Sequence, residues 1–358
     1  METIRQNFLF RFLYPALGMA IFSAVIACGP RPVTWQTLAG NTMGTTYHVE
    51  YQSGTNLQAA IDTLLLEINQ SLSTYIPTST ISTFNATGRI EIPLNDGGEP
   101  ADPLHRHFLV NLRKAQEVFD ASAGYFDPTV GPLVEAWGFG NKGHRSEALD
   151  SAGIDALLLL VGMSSIVVHS SDSALSIIAA KGGMHLDFSA LAKGYAVDRV
   201  WQLLTEAGVQ HIFVEIGGEV RVSGQSPRGD AWILGISTPE ENADIVSISA
   251  RIRLRDAAMA TSGNYRNVYV LNGRKVWHTI NPRTGYPEEN NLLSATIVAP
   301  DCMTADALAT ACMAMGAQRA IALIDSFPHA EGYFIYRDVQ DNITTFATET
   351  LAEDILTE

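Results

Sequence analysis

Apolar positions recur at helical spacing over residues 56–73, "NLQAAIDTLLLEINQSLS", and predict an amphipathic helix. Residues 46–52, "TYHVEYQ", alternate instead and predict a strand. Further helices are expected from Asp102 to Asp120 behind the cap "ADP", over a segment that includes "IDALLLLVG", from about Ala190 to Ala207, and over "TADALATACMAMG" at 304–316. Strand patterns fall at "SIVVHS", "ALSIIAA", "MHLDFS", "HIFVEIGG", "EVRVSG", "WILGIS", "VSISARIRL", "NVYVLNG", "KVWHTI", "SATIVAP", "GYFIYRD" and "TTFAT". Residues 74–88, "TYIPTSTISTFNATG", and 124–140, "GYFDPTVGPLVEAWGFG", predict loops. Strands outnumber helices and mostly follow one another as hairpins, so an α+β fold of mixed, mostly antiparallel sheets with packed helices is expected. No Pro, Gly or Ser linker and no repeat divides the chain, which predicts a single domain over residues 40–358.

Composition narrows the functions. The 358 residues are 46% hydrophobic, enough for a substantial core, and a net charge of −15 disfavours a nucleic-acid binder, whose phosphate contacts need clustered cations. Anionic small ligands would need a metal or local donors. At the N-terminus Arg5 and Arg11 precede the apolar run "FLYPALGMAIFSAVIA", too short for a comfortable membrane span, which ends at Cys28. Residues 1–27 look like a bacterial lipoprotein signal peptide. Cys28 is then the lipidated first residue of the mature protein and 28–39 a tether. A simple uncleaved anchor is the alternative. Cys302 and Cys312 read as small core residues, because a helix would hold them too far apart for a disulfide. With no zinc-like Cys or His spacing, any metal is expected to be hard and oxygen-bound.

The helix at 304–316 is apolar apart from a few positions, and Asp306 and Thr310, four residues apart, share a face. Thr304 as N-cap, Asp306 in the first turn and Thr310 bonded back to it is one reading. Two oxygen ligands for a cation is the other. Asp127, set among aromatics, requires a specific donor. Asp187 and Lys193 stand where a strand is expected to run into a helix, a place suited to phosphate, although the order of a Walker motif is absent. Met43 in a turn and Tyr75 in a Ser/Thr-rich loop offer surfaces for a flat ring. Gly217 and Gly218 read as hairpin geometry. His278, just before the turn "NPRTG", either points into a site or lies at the surface.

Taken in order, "MGTTY", "STYIPTS", "GYFDPTVGPLVEAWGFG", "LDFSALAKGYAVD", "IGGEVRVSG", "TSGNY", "HTINPRTGYP" and "DCMTADALATACMAMG" resemble the ApbE-type flavin transferases over residues 40 to about 330. The resemblance implies Mg²⁺-dependent transfer of FMN from FAD to a Thr or Ser hydroxyl of a target protein, with release of AMP. It implies Asp306, Thr310 and the backbone oxygen of Ala190 as metal ligands and His278 as the base. Met43, Tyr75, Tyr125, Phe126, Asp127, Asp187, Lys193 and Ile280 would contact FAD. The acceptor would be a subunit of a membrane redox complex carrying a motif like Asp-Gly/Ala-x-Ser/Thr-Gly/Ala-Thr. The expected location is the bacterial cell envelope, lipid-anchored on the periplasmic side of the inner membrane. Two alternatives use the same site: a Mg²⁺-dependent FAD pyrophosphatase, and a flavin-binding lipoprotein without turnover, against which Asp306, Thr310 and His278 argue.

Overall fold

The computed structural model describes residues 33–356 except 141–142, 144–148, 240–247, 264–267, 272 and 289. The expected signal peptide and Cys28 lie outside the described residues. In chain order, β1 (Thr34–Thr42) and β2 (Thr45–Ser53) form a hairpin, followed by α1 (Gln58–Leu72), α2 (Thr80–Thr87) and β3 (Arg89–Pro93). Next come α3 (Pro103–Ala121), α4 (Gly131–Ala136), α5 (Ser151–Leu158), β4 (Ile166–Ser170), β5 (Ala174–Ala179) and α6 (Ala192–Glu206). Strands β6 (Ile212–Ile216), β7 (Glu219–Ser223), β8 (Trp232–Ser237), β9 (Ile248–Leu254), β10 (Ala258–Gly263), β11 (Val268–Leu271), β12 (Arg274–Trp277) and β13 (Leu292–Ala299) lead to α7 (Cys302–Met315) and α8 (Ala317–Ser326). The described chain closes with β14 (Glu331–Arg337), β15 (Ile343–Ala347), α9 (Glu349–Ala352) and β16 (Ile355–Leu356).

Eight strands make one antiparallel sheet in the order β1-β2-β6-β7-β10-β13-β14-β15. Smaller antiparallel sheets are β3-β5-β4, β16-β9-β8 and β11-β12. This is the expected α+β architecture. The main core joins the large sheet to α1, α3, α6, α7 and α8; the opposite face of β7 (Val220, Val222) packs on Trp232, Ile252 and Leu254 of the β8–β9 sheet. A separate apolar cluster of Leu133, Trp137, Ile154, Val161, Leu271, Val276 and Ile280 ties α4 and α5 to the β11–β12 hairpin.

Helix α7 sits at the centre. From Cys302 to Ala314 every residue except Thr310 is buried, as an all-round apolar helix requires. Its small residues let β10 approach, which explains why "AMATSG" forms a strand although no strand was expected there. Ala258 and Ala260 turn to the helix side, and low intrinsic β-propensity is overridden by packing. Helix α7 also begins two residues before the expected cap. Asp301, not Thr304, is the N-cap and accepts the Thr304 N–H at 2.8 Å.

Other departures have equally local causes. Residues 34–39 are not tether but part of β1, paired with β2 from Thr34 onward. The loop expected at 74–88 contains α2, because Ser79 caps it, Gly88 closes it in the left-handed region at φ 68°, and Ile81 and Phe84 are buried. "MHLDFS" alternates correctly, with Met184, Leu186 and Phe188 buried, but joins no sheet. On one side it meets only an isolated parallel bridge, His185 with Val130 beside the Asp187 N–H to Pro128 carbonyl bond of 2.7 Å; on the other, the Asn85 side chain accepts the Leu186 N–H at 2.7 Å and donates to the Leu186 carbonyl at 2.9 Å. Helix α8 had no counterpart in the expected pattern. Cys302 and Cys312 are free and buried, as expected. Among the described residues no helix is long and apolar enough to cross a membrane.

Candidate active site

A cleft of about 800 Å³ opens where the start of α6, one face of α7, the β6–β7 turn and β10 meet the segment after β12 and residues 125–140, which were expected as a loop but contain the short helix α4. Its lining includes Tyr75, Tyr125, Phe126, Asp127, Asp187, Ala190, Lys193, His278, Ile280, Asp306 and Thr310. Met43 is absent from that lining. It occupies the β1–β2 turn with φ 50° and packs against the main core.

One wall is made by three buried elements. Strand β7 turns alternate residues toward α6, and each has a polar partner there. Glu219 Oε1 lies 3.0 Å from Lys193 Nζ, Arg221 pairs with Asp198 at 2.6 Å, and Ser223 Oγ accepts the indole N–H of Trp201 at 3.2 Å. Asp198 also accepts the Cys302 and Met303 N–H groups, both at 2.9 Å, and so fastens α6 to the start of α7. Gly194 permits the contact: a Cβ there would stand 2.3 Å from the Cys302 carbonyl oxygen.

Asp306 is 3% exposed, and its Oδ2 accepts the Gly194 N–H at 3.0 Å. That N–H is one of the first-turn donors of α6 that have no partner inside the helix, and Asp306 satisfies it from α7; the Ala190 carbonyl, just before α6, accepts no hydrogen bond among the described residues. Asp306 falls in the second turn of α7, so the reading of it as a first-turn dipole partner fails. Thr310 Oγ1 lies 3.5 Å from Ser262 Oγ on β10. Lys193 Nζ stands 3.9 Å from Asp306 Oδ2, and Glu219 Oε2 is buried without a hydrogen-bond partner. Burial lowers the Lys193 ammonium, but the Asp306 and Glu219 carboxylates more than reverse this, and it stays a cation. Burial raises Glu219; Asp306 adds to the shift and Lys193 opposes it.

These groups suit a hard divalent cation. The Asp306 carboxylate, the Thr310 hydroxyl and the unpaired Ala190 carbonyl are oxygen donors that line the same cleft. No group of three or more His, Cys, Asp or Glu arranged for a metal occurs among the described residues. A cation held by one carboxylate keeps positions for phosphate oxygens and water, the usual Mg²⁺ arrangement.

The other wall is looser. Tyr75 is 68% exposed at the rim. The Tyr125 ring lies under Arg283 and Arg319, at 4.9 and 5.5 Å. Asp127 does have the donors its setting required, namely the Thr129 N–H and hydroxyl at 2.8 and 2.6 Å and the Met163 N–H at 3.1 Å. Its carboxylate therefore braces the loop. Burial raises Asp127, and those three hydrogen bonds oppose the shift. The Asp187 side chain closes a turn on the Ser189 N–H at 2.8 Å just before α6. His278 follows β12, its ring 6.3 Å from that of Phe139. The segment it belongs to is pinned by Trp137, whose indole N–H donates to the Gly285 carbonyl at 2.8 Å.

Sequence reasoning passed over Glu219, Asp198 and Gly194. Glu219 was hidden behind the glycine pair of its hairpin, while Asp198 and Gly194 lie inside "LDFSALAKGYAVD" but act on an element more than 100 residues away.

Comparison with known proteins agrees with this arrangement. Residues 43–334 match the model of the ApbE family. The chain is 34% identical over 315 residues to the FAD:protein FMN transferase of Vibrio cholerae, covering 86% of this chain and 90% of that one. It is 32% identical to the transferase of the same name from Haemophilus influenzae, covering 81% and 83%. Among solved structures, the flavin transferase ApbE from Vibrio cholerae superposes with a TM-score of 0.76 at 30% identity, over 90% of this chain and 100% of that one. The apo flavinyl transferase ApbE of Pseudomonas stutzeri gives 0.74, also at 30% identity, over 90% and 97%.

Proposed function

The chain belongs to the ApbE family and is an FAD:protein FMN transferase, and from that premise we propose how its cleft performs the transfer. FAD lies with its pyrophosphate at Asp306 and Thr310 and its flavin toward Tyr75, Tyr125 and Ile280. Asp306, Thr310 and the Ala190 carbonyl would hold Mg²⁺. When bound, the ion offsets charge on the phosphate oxygens. Lys193 adds a second positive charge to the same group, since it remains protonated in this setting. A Thr or Ser hydroxyl of the acceptor attacks the FMN-side phosphorus, His278 takes its proton, and AMP leaves.

The observation that carries this reading is that the buried Asp306 carboxylate, the Thr310 hydroxyl, the Lys193 ammonium and the unpaired Ala190 carbonyl line one cleft. The acceptor we propose is a subunit of a membrane redox complex, and Cys28 anchors the enzyme near it in the cell envelope. The transfer itself is tested by measuring AMP released from FAD and Mg²⁺ with and without a candidate acceptor. Release that depends on the acceptor supports transfer; equal release in both samples makes water the acceptor and the protein a pyrophosphatase. Replacing Cys28 by Ala should detach the protein from the membrane without changing this chemistry.

A further inference from the structure

Glu219 takes no step in the reaction above, yet its side chain is only 7% exposed and one of its oxygens is buried without a partner. We propose that Glu219 is a positioning residue that holds Lys193 away from Asp306, so that the Asp306 carboxylate stays open to a divalent cation. The role rests on the metal reading of Asp306 and Thr310.

The geometry is a competition between two carboxylates for one ammonium. Lys193 Nζ is 3.0 Å from Glu219 Oε1 and 3.9 Å from Asp306 Oδ2. A lysine is a compact charge with three donors on a flexible stem, and it settles on whichever carboxylate is nearer. The rest of the site favours Glu219. Glu219 is the first residue of β7, fixed opposite Ile216 by a two-residue turn whose glycines have φ of 62° and 101°. A Cβ on Gly217 would stand 3.3 Å from Lys193 Cδ and 3.4 Å from Glu219 Oε2, so the turn backbone lies directly over the pair. The start of α6 is fixed as well, through Gly194 against α7.

Without the Glu219 charge, Lys193 has about one ångström to move before it forms a direct ion pair with Asp306. That pair would neutralise the carboxylate and oppose a second cation. Glu219 thus keeps a lysine available for phosphate and a carboxylate available for metal within the same small space.

A double-mutant cycle read by Mn²⁺ binding, followed as loss of the free-ion electron paramagnetic resonance signal on the detergent-solubilised full chain, separates this role from a general loss of negative charge. Glu219→Gln should weaken Mn²⁺ binding about tenfold when Lys193 is present and less than about twofold in a Lys193→Met background. Equal losses in both backgrounds would overturn the proposal, because a simple field effect is additive. Should Glu219→Gln fold poorly, Glu219→Asp keeps the charge but withdraws it from Lys193, and it too should weaken Mn²⁺ binding; unchanged binding would count against the role. If wild type and Asp306→Ala bound Mn²⁺ equally, the metal reading itself would fall and this role with it.

Discussion

On one wall of the cleft, Asp306, Lys193 and Glu219 are carried by α7, α6 and β7, which are bound to one another by the Asp198, Arg221 and Gly194 contacts inside the main core. On the other wall, Tyr125, His278 and Ile280 are carried by loops, and Ile280 packs in the smaller cluster with Trp137 and Val276. The first wall presents charge in positions its neighbours over-determine. The second presents rings on loop segments, with Tyr75 exposed at the rim. Phosphoryl transfer needs fixed charge where the pyrophosphate sits, whereas a flavin and an incoming protein segment need a surface able to adjust.

The comparison breaks most severely at Asp306. Asp306→Ala should abolish both transfer and hydrolysis while leaving weak FAD binding, because ring contacts belong to the opposite wall; turnover at the normal rate in Mg²⁺ would dismiss the metal assignment. His278→Ala, on the looser wall, should slow transfer by about 10²- to 10⁴-fold with little change in FAD affinity, the range for losing a general base. Its rate should also depend less on pH in the region of the imidazole pKa. Identical profiles for the two proteins would reduce His278 to a support for the turn.

Gly194→Ala tests the rigid wall without touching a ligand side chain. Its new methyl would meet the Cys302 carbonyl at 2.3 Å, so α6 and α7 must separate, at a cost of about 1–3 kcal/mol in stability. Metal binding should weaken alongside, since the Gly194 N–H leaves Asp306. Unchanged denaturant midpoint and Mn²⁺ affinity would show that the contact does not set the site.

The smallest effect expected is acid sensitivity at the back of the rigid wall. His107 is 3% exposed, with Nδ1 2.6 Å from the Tyr195 hydroxyl of α6 and Nε2 2.9 Å from Glu67. Burial lowers its pKa, against the pull of Glu67, so the fold favours the neutral ring. The unfolded chain then binds the extra proton first, and stability present above a pH of about 6.5 is lost as pH falls through the folded pKa. Thermal midpoints measured from pH 7 downward should decline more steeply for the wild type than for His107→Gln. Parallel curves would assign the acid loss to other groups.

The two walls also differed in how far the sequence revealed them. Helix α7 and the spacing of Asp306 and Thr310 were readable because helical periodicity is local, and so was the α+β arrangement, because hairpins join neighbours. Nothing local distinguishes Gly194 from a weak helix former, or Asp198 from a solvated charge, since their roles exist only once β7 and α7 lie against α6. Residues 184–189 mark the same boundary: alternation correctly gave the buried face but not the partners, which are the 128–130 backbone and the Asn85 side chain rather than a sheet strand. Tyr75, Tyr125 and Ile280 reached the cleft from separate loops, and the family resemblance, not periodicity, brought them together.

The mass of an acceptor protein after incubation with this enzyme, FAD and Mg²⁺ tests the account most directly. The acceptor should gain the mass of one FMN phosphoester on a Thr or Ser, and only with the divalent ion present. An acceptor of unchanged mass while FMN and AMP accumulate in solution, or an FMN adduct formed equally well in chelator, would contradict it.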